Sequence, residues 1–388
     1  MTEFVGGNHI TLLKSGREYF PALEAACDGA RREIRLETYI FEDDVAGRRI
    51  AQALARAARR GVAAHLLIDG FGSKRLNPEL VAGLQQAGVR FLVYRPDIAP
   101  WRYPRQRLRR MHRKLAVVDA QVAFVGGINV IDDMHTPRHT PPRFDYAVQI
   151  EGPLVQNIYP VVRRLWALVE FTRFHEEPAP RLRLEPPAAP RGTQRAAFLV
   201  RDNLRHRSDI EEAYLAAISA ARSEILIACA YFFPGLRFRR ALMDAAARGV
   251  RVVLLLQGRV EYTLLHFAAR ALYGTFLDAG IVIHEYHKSF MHAKVAVIDR
   301  RWSTVGSSNI DPFSLLMARE ANVVIDDRGF AGELRQDLVE AMVAGARELK
   351  REGWKTRPLV MRAAIWLCYG VARLLTGVFA YGREREVT

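Results

Sequence analysis

The chain has 388 residues, 50% of them hydrophobic, and a formal net charge of +15. That is ample for a real core, so a chain too polar to fold is excluded, and the length suits two domains or one large duplicated unit. The positive charge favours polyanions (nucleic acid, anionic lipid or phosphorylated substrates) without choosing among them, and a merely solvated basic surface stays open.

The opening "MTEFVGGNHITLL" lacks a basic start followed by a long apolar run, so no signal peptide is expected. Cys27, Cys229 and Cys368 are far apart, odd in number and in no metal-ligand spacing. They are expected to be reduced and mostly buried, in a reducing compartment. "ARREIRLETYIF" (30–41) carries a first strand. Ile50, Leu54 and Ala57 then recur at helical intervals, with Gly61 where a helix-ending glycine belongs. "AAHLLI" (63–68) is a short apolar run, as expected of a strand buried on both faces. "PWRYPRQRLRRMHRK" (100–114) interleaves arginines with Trp101 and Tyr103, which suits a lipid headgroup layer and single-stranded nucleic acid equally.

"MHRKLAVVDAQVAFVGGIN" follows at 111–129, and 180 residues later "MHAKVAVIDRRWSTVGSSN" at 291–309 repeats its His, Lys, Asp, Gly and Asn in place. The repetition reaches further. "ARSEILIACAYFF" (221–233) matches 30–41, and "AARGVRVVLLLQG" (246–258) matches 58–70, with Gly249 in the place of Gly61. Each half reads as helix, apolar strand, helix, apolar strand and motif, which predicts an α/β sandwich with a mixed sheet, duplicated and packed as a pseudo-dimer. The expected boundaries are 1–174 for the first half, 175–194 for an extended linker with five prolines, 195–355 for the second half and 356–388 for a tail.

Within each motif, two apolar, partly β-branched runs predict a hairpin. With Asp119–Val122 as the turn, Asn129 would face His112 and Gly127 would face Lys114; in the second copy Asn309 would face His292 and Ser307 would face Lys294. His112 and Lys114, two apart, share one face of their strand, as do His292 and Lys294. Imidazole, ammonium, carboxamide and backbone N–H on one floor suit an anion with three or four oxygens, and phosphate fits best. A protonated ammonium offers no lone pair, so the motif is not a metal site, and no metal or other cofactor is expected. Asp145 in "FDYAVQIEG" and Glu320 in "REANVVIDD" open strand-like runs after each motif. Either is suited to accept from a histidine ring nitrogen and set its tautomer. A single His-x-Lys match would carry little weight; its recurrence in both halves carries the argument.

These lines resemble the paired His-x-Lys-x4-Asp motifs of the phospholipase D superfamily over about residues 8–350. Within it, "LETYIFEDDVAGRR", "DYAVQIEGP" and "VGSSNIDPFSLLMAREANVVI" make the chain most similar to bacterial cardiolipin synthases of the B type. The resemblance implies one joint site, with one histidine forming a phosphohistidine and the other serving as acid and base. By analogy His112 is the nucleophile and His292 the acid and base. Lys114, Lys294, Asn129 and Asn309 would hold the phosphate oxygens, with Gly127 and Ser307 beside them. Asp119 and Asp299 are motif members in the family, yet the hairpin reading puts them at the turn, where a structural role fits.

Superfamily members also cut nucleic acids, so the substrate needs separate evidence. Residues 357–383 are apolar except for Arg362 and Arg373, which share a face with Tyr369 and Thr376, while Trp366, Leu367, Leu374, Val378 and Phe379 fill much of the rest. No uncharged window reaches the ~18 residues of a spanning helix. A helix lying in the membrane interface is expected, the alternative being one packed on the protein's own body or on a partner subunit. The expected function is transfer of a phosphatidyl group between two phosphatidylglycerol molecules at the cytoplasmic side of a bacterial inner membrane, with no nucleic acid as partner. A phospholipase or metal-independent nuclease, and a non-enzymatic membrane-binding scaffold, are the alternatives.

Overall fold

The computed structural model describes residues 3–96, 110–136, 140–172, 183–202, 206–259, 263–311, 318–355 and 365–374. Most of the arginine-rich stretch 100–114 and most of the tail lie outside them. The first half supplies β1 (Val5–Lys14), β2 (Glu33–Thr38), β3 (Ala63–Asp69), β4 (Arg90–Tyr94), β5 (Arg110–Met111), β6 (Lys114–Val118), β7 (Val122–Gly126), β8 (Arg143–Phe144) and β9 (Tyr146–Glu151). The second supplies β10 (Gln194–Arg201), β11 (Glu224–Cys229), β12 (Arg251–Gln257), β13 (Val282–Tyr286), β14 (Phe290–Met291), β15 (Lys294–Ile298), β16 (Trp302–Gly306), β17 (Ala318–Asp326) and β18 (Ala346–Glu348).

The sheet order is β1-β9-β7-β6-β2-β3-β4 in one half and β10-β17-β16-β15-β11-β12-β13-β18 in the other, so the duplication is exact in topology up to the last strand. The runs β2-β3-β4 and β11-β12-β13 are parallel. Pairing of β1 with β10 joins the halves edge to edge in one mixed sheet. The duplicated α/β architecture read from the repeat is therefore present.

Every residue of β2 is buried. Helices Ser15–Gly29 and Val45–Arg59 cover one face, where Leu23, Ile50 and Leu54 pack with Ile34, Leu36 and Leu66. The helix Val155–Phe171 covers the other: its Tyr159 hydroxyl donates to Glu33 at 2.7 Å. Burial on both faces is why β3 and β12 read as apolar runs, whereas β2 alternates Ile34 and Leu36 with the buried Glu33, Arg35 and Glu37. Gly61 (φ +90°) and Gly249 (φ +86°) take the left-handed turn that ends each second helix, a conformation that would strain any side chain. A third apolar layer is common to both halves, with Val125, Tyr146 and Val148 of the first packed in one cluster with Val305, Ala321 and Val323 of the second.

The hairpin register differs from the sequence reading by one residue. Val118 pairs with Val122 and Lys114 with Gly126, and in the second copy Ile298 pairs with Trp302. The loop has three residues rather than two because Asp119 and Ala120 both take positive φ, as do Asp299 and Arg300. The Asp119 carboxylate accepts from the backbone N–H groups of Arg31, Arg32 and Glu33 at 2.8 Å each, and Asp299 accepts from those of Arg222, Ser223 and Glu224. These bonds hold the turn in the left-handed region, which aspartate tolerates better than most residues. They also place both motif aspartates at the far end of the strand from the histidines.

Candidate active site

Each motif histidine sits just before its long strand, and the opposite half fixes its backbone. β5 pairs with the start of β17, and the His112 N–H donates to the Arg319 carbonyl at 3.0 Å. β14 pairs with β8, and the His292 N–H donates to the Phe144 carbonyl at 2.7 Å. The side chains cross over in the same way. His112 Nδ1 lies 3.0 and 3.2 Å from the two carboxylate oxygens of Glu320, and His292 Nδ1 lies 2.7 Å from Asp145. Each imidazole of one half is thus held by a carboxylate of the other, so neither half carries a complete site. A proton on Nδ1 facing a carboxylate leaves the Nε2 lone pair free.

Sequence reasoning singled out both acids and could not assign them to partners. In sequence each acid follows its own motif, and only the antiparallel meeting of the halves exchanges them. Two further residues went unnoticed. Asp69, at the end of β3, accepts from the Met111 N–H at 2.8 Å, and Gln257, at the matching end of β12, donates to the Met291 carbonyl at 3.3 Å. Both brace the residue before a histidine. Their position at the C-terminal ends of parallel strands, where α/β sheets place their sites, was the available signal.

Lys114 and Lys294 are 3% and 1% exposed. Lys114 Nζ lies 5.3 Å from the centre of the Tyr39 ring, and that ring stands 4.8 Å from His112. Lys294 Nζ lies 3.6 Å from Asp145 and 2.9 Å from His292 Nδ1. Between His112 and Lys114, Arg113 points the other way into a buried bidentate pair with Glu37 at 2.6 and 3.0 Å, which pins the strand from behind. Asn129 Oδ1 accepts from the Ile40 N–H at 3.0 Å, and Asn309 is buried in the second half.

The difference between Gly127 and Ser307 at matching motif positions has a steric cause. A Cβ built on Gly127 would stand 2.4 Å from the Asp145 carboxylate, so glycine is required where the short acid lies on the strand. The longer Glu320 leaves room for Ser307, whose hydroxyl donates to it while accepting from the Ala321 N–H at 3.1 Å. Gly127 and Ser307 therefore contact the acids. Gly127→Ser is expected to displace Asp145 and lower turnover by about 10²-fold, the usual cost of a misplacement near 1 Å. Ser307→Gly removes both of these hydrogen bonds and is expected to cost about tenfold. Initial rates on variants with unchanged melting temperature check both.

Burial dominates the electrostatics. It lowers Lys294 and holds the Lys114 ammonium down to about 7, against the pull of Glu320. Burial, and then the Lys294 charge, push His292 to about 3; burial also lowers His112 despite Glu320. For Asp145 and Glu320 burial acts upward, but Lys294 with His292, and His112 with Lys114, outweigh it and keep both carboxyls low. The Lys294 charge acts on His112 and Lys114 across the boundary between halves, as expected of one shared site. Held near 7 by burial, Lys114 is largely neutral at pH 8, so binding of an anion beside it is expected to draw in a proton there. Calorimetry of inorganic phosphate binding at pH 8, in two buffers of different ionisation enthalpy, is expected to give an uptake approaching one proton that vanishes below pH 6. Among the described residues, no group of three His, Cys, Asp or Glu side chains is placed to hold a metal ion.

Two duplicated α/β halves that share paired His-x-Lys motifs in one site define a phospholipase D-like protein. Residues 23–150 and 214–342, one segment per half, match the family described as cardiolipin synthase, PLD-like domain. The chain belongs to that family. It is 40% identical over 372 residues to cardiolipin synthase B of Escherichia coli strain K12, covering 92% of this chain and 87% of that protein. It is 28% identical to cardiolipin synthase A of Proteus mirabilis strain HI4320, covering 96% of this chain and 76% of that protein. The crystal structure of phosphatidylserine synthase from Haemophilus influenzae Rd KW20 aligns with 97% of this chain and 96% of its own at a TM-score of 0.70 and 12% identity, a likeness of fold.

Proposed function

We propose that the chain is a phosphatidyltransferase that moves the phosphatidyl group of one phosphatidylglycerol onto a second, giving cardiolipin and glycerol. The observation that carries this reading is the crossed arrangement of two histidines, each oriented at Nδ1 by an acid of the other half. Such a site has one nucleophile and one acid-base group facing a single phosphate. In the first step, with the anionic phosphate bound and His292 protonated at Nε2, His112 Nε2 forms a bond to phosphorus, the bond from phosphorus to the glycerol oxygen breaks, and His292 gives that oxygen its proton. In the second step His292 takes the proton of the incoming hydroxyl, the new O–P bond forms and the N–P bond breaks. Lys114, Lys294, Asn129 and Asn309 hold the equatorial oxygens and offset the growing charge. One observation favours the reverse order of the histidines: with its pKa pushed to about 3, the His292 ring stays neutral, as a nucleophile must.

The lipid reaches the site from a membrane surface on this reading, with the anionic headgroups drawn by the basic stretch 100–114 and by the net charge of +15. Residues 365–374 are helical, and Ile365 and Ala372 are buried against the second half. Tyr369, one turn before Arg373, meets Phe233 at 5.7 Å. Trp366, Leu367 and Leu374 remain 56%, 70% and 68% exposed, an apolar stripe facing away from the body. Within the described residues no helix is long and apolar enough to cross a membrane. An interfacial position suits this helix, on the cytoplasmic side of an inner membrane, where the three free cysteines stay reduced. Replacing Leu367 and Leu374 together by aspartate is expected to lower co-sedimentation with anionic vesicles by about tenfold or more, since each leucine buried in lipid is worth about 1.5–3 kcal/mol.

The test of the function is direct. Purified protein is given phosphatidylglycerol vesicles with EDTA present, and separately plasmid DNA. Cardiolipin and free glycerol support the proposal. Phosphatidic acid alone would mark a phospholipase, nicked DNA a nuclease, and no product a membrane-binding scaffold.

A further inference from the structure

The two halves differ beside their histidines. In the first half the turn after β3 closes over the end of β2. The Ser73 hydroxyl donates to the Tyr39 carbonyl at 3.0 Å and accepts from the Phe41 N–H at 2.9 Å. A Cβ on Gly72 would stand 2.2 Å from the Tyr39 carbonyl oxygen, so the turn lies directly on that backbone. At the matching ends of β11 and β12 the second half has a cavity of about 490 Å³, counting its open mouth. Tyr231 and Phe233 line it together with Gln257, Arg259, His266 and Asp311.

The cavity backs onto His292. The Tyr231 ring stands edge-on to the His292 ring at 6.4 Å, and the Ala230 N–H donates to the carbonyl of Ala293 at 2.9 Å. Gln257 reaches the carbonyl just before His292, and Arg259 is fixed by two bonds to the His287 carbonyl at 2.9 and 2.7 Å. On its outer side Phe233 meets Tyr369, so the wall is continuous with the helix that carries the exposed apolar stripe. Aromatic faces interleaved with amide, guanidinium, imidazole and carboxylate groups match a polyol, which offers C–H faces and several hydroxyls at once.

We propose that this cavity seats the glycerol of the alcohol, the group that leaves in the first step and the group that enters in the second. This rests on the reading of the protein as a phosphatidyltransferase with His292 handling the alcohol proton. One histidine protonates the leaving oxygen and deprotonates the entering one, so both alcohols must occupy the same place, beside that ring. In the first half the turn at Gly72 and Ser73 occupies the matching position, which makes two chemically identical lipids unequal once bound: the donor's phosphatidyl part stays outside the cavity and only a glycerol enters it.

The test fills the cavity with Ala269→Trp and removes a polar wall group with His266→Ala. Two arms are run: phosphatidylglycerol alone, scored as the ratio of cardiolipin to phosphatidic acid, and cardiolipin with free glycerol, scored as phosphatidylglycerol formed. Filling the cavity is expected to lower the ratio by about tenfold and to lower transfer to free glycerol in step, while His266→Ala raises the KM for glycerol more than it lowers kcat. The proposal is overturned by an unchanged ratio in Ala269→Trp. It is also overturned by loss in the lipid arm only, which would make the cavity a site for an acyl chain, or by equal loss of all products in both variants at unchanged melting temperature. Failure of the wild-type protein to make cardiolipin would overturn instead the function on which the proposal rests.

Discussion

Alanine in place of either His112 or His292 is expected to lower phosphatidyl transfer by at least about 10⁴-fold, and the double variant to be hardly worse than either single one. Groups that act as one unit are strongly non-additive, because the second loss removes nothing once the first has stopped the cycle. The two single variants differ in which step fails. On the proposed order, no N–P bond can form without His112. Without His292 the bond can form, but the glycerol oxygen leaves without a proton. A donor with an activated leaving group, such as a p-nitrophenyl phosphodiester, needs no proton on departure. With it, His292→Ala is expected to accumulate an acid-labile phosphoprotein and His112→Ala to remain unlabelled. The opposite pattern would assign attack to His292, in line with its strongly depressed pKa. Labelling of neither variant would remove the phosphohistidine from the mechanism.

Much of this was legible because duplication makes spacing informative. The strand order of one half could be carried to the other once "EIRLET" and "EILIAC" were aligned, and both fold into all-buried strands. The glycines at 61 and 249 marked the same helix ends. What escaped depends on geometry between segments distant in sequence. The hairpin register slipped by one because the carboxylate of Asp119 is occupied by the backbone of residues 31–33, a tertiary contact that a turn rule does not contain. The sequence placed Gly127 and Ser307 beside the phosphate-holding residues and gave no reason for their difference. The difference follows from the length of the acid each one touches. The tail helix keeps Tyr369 one turn before Arg373, while the contact of that tyrosine with Phe233, far away in sequence, was not legible.

Asp145→Asn and Glu320→Gln are each expected to lower transfer by about 10³–10⁴-fold without unfolding the protein, the size of loss seen when an aspartate that orients a catalytic histidine becomes an amide. An amide can donate to Nδ1, which favours the wrong tautomer and leaves Nε2 protonated when a lone pair is needed there. The variants should also fail in the crossed sense. Asp145, in the first half, serves His292, so Asp145→Asn should behave as His292→Ala does and recover phosphoprotein formation with the activated donor. Glu320, in the second half, serves His112, so Glu320→Gln should stay unlabelled. Pairing within each half would give the reverse result. The double variants sharpen the point. Asp145→Asn added to His292→Ala should cost almost nothing further, whereas Glu320→Gln added to His292→Ala should abolish the labelling that remains, since it disables the other ring. The distances of 2.7 and 3.0 Å make this crossing a property of the joined sheet. Neither half, expressed alone, would hold a histidine together with the carboxylate that orients it.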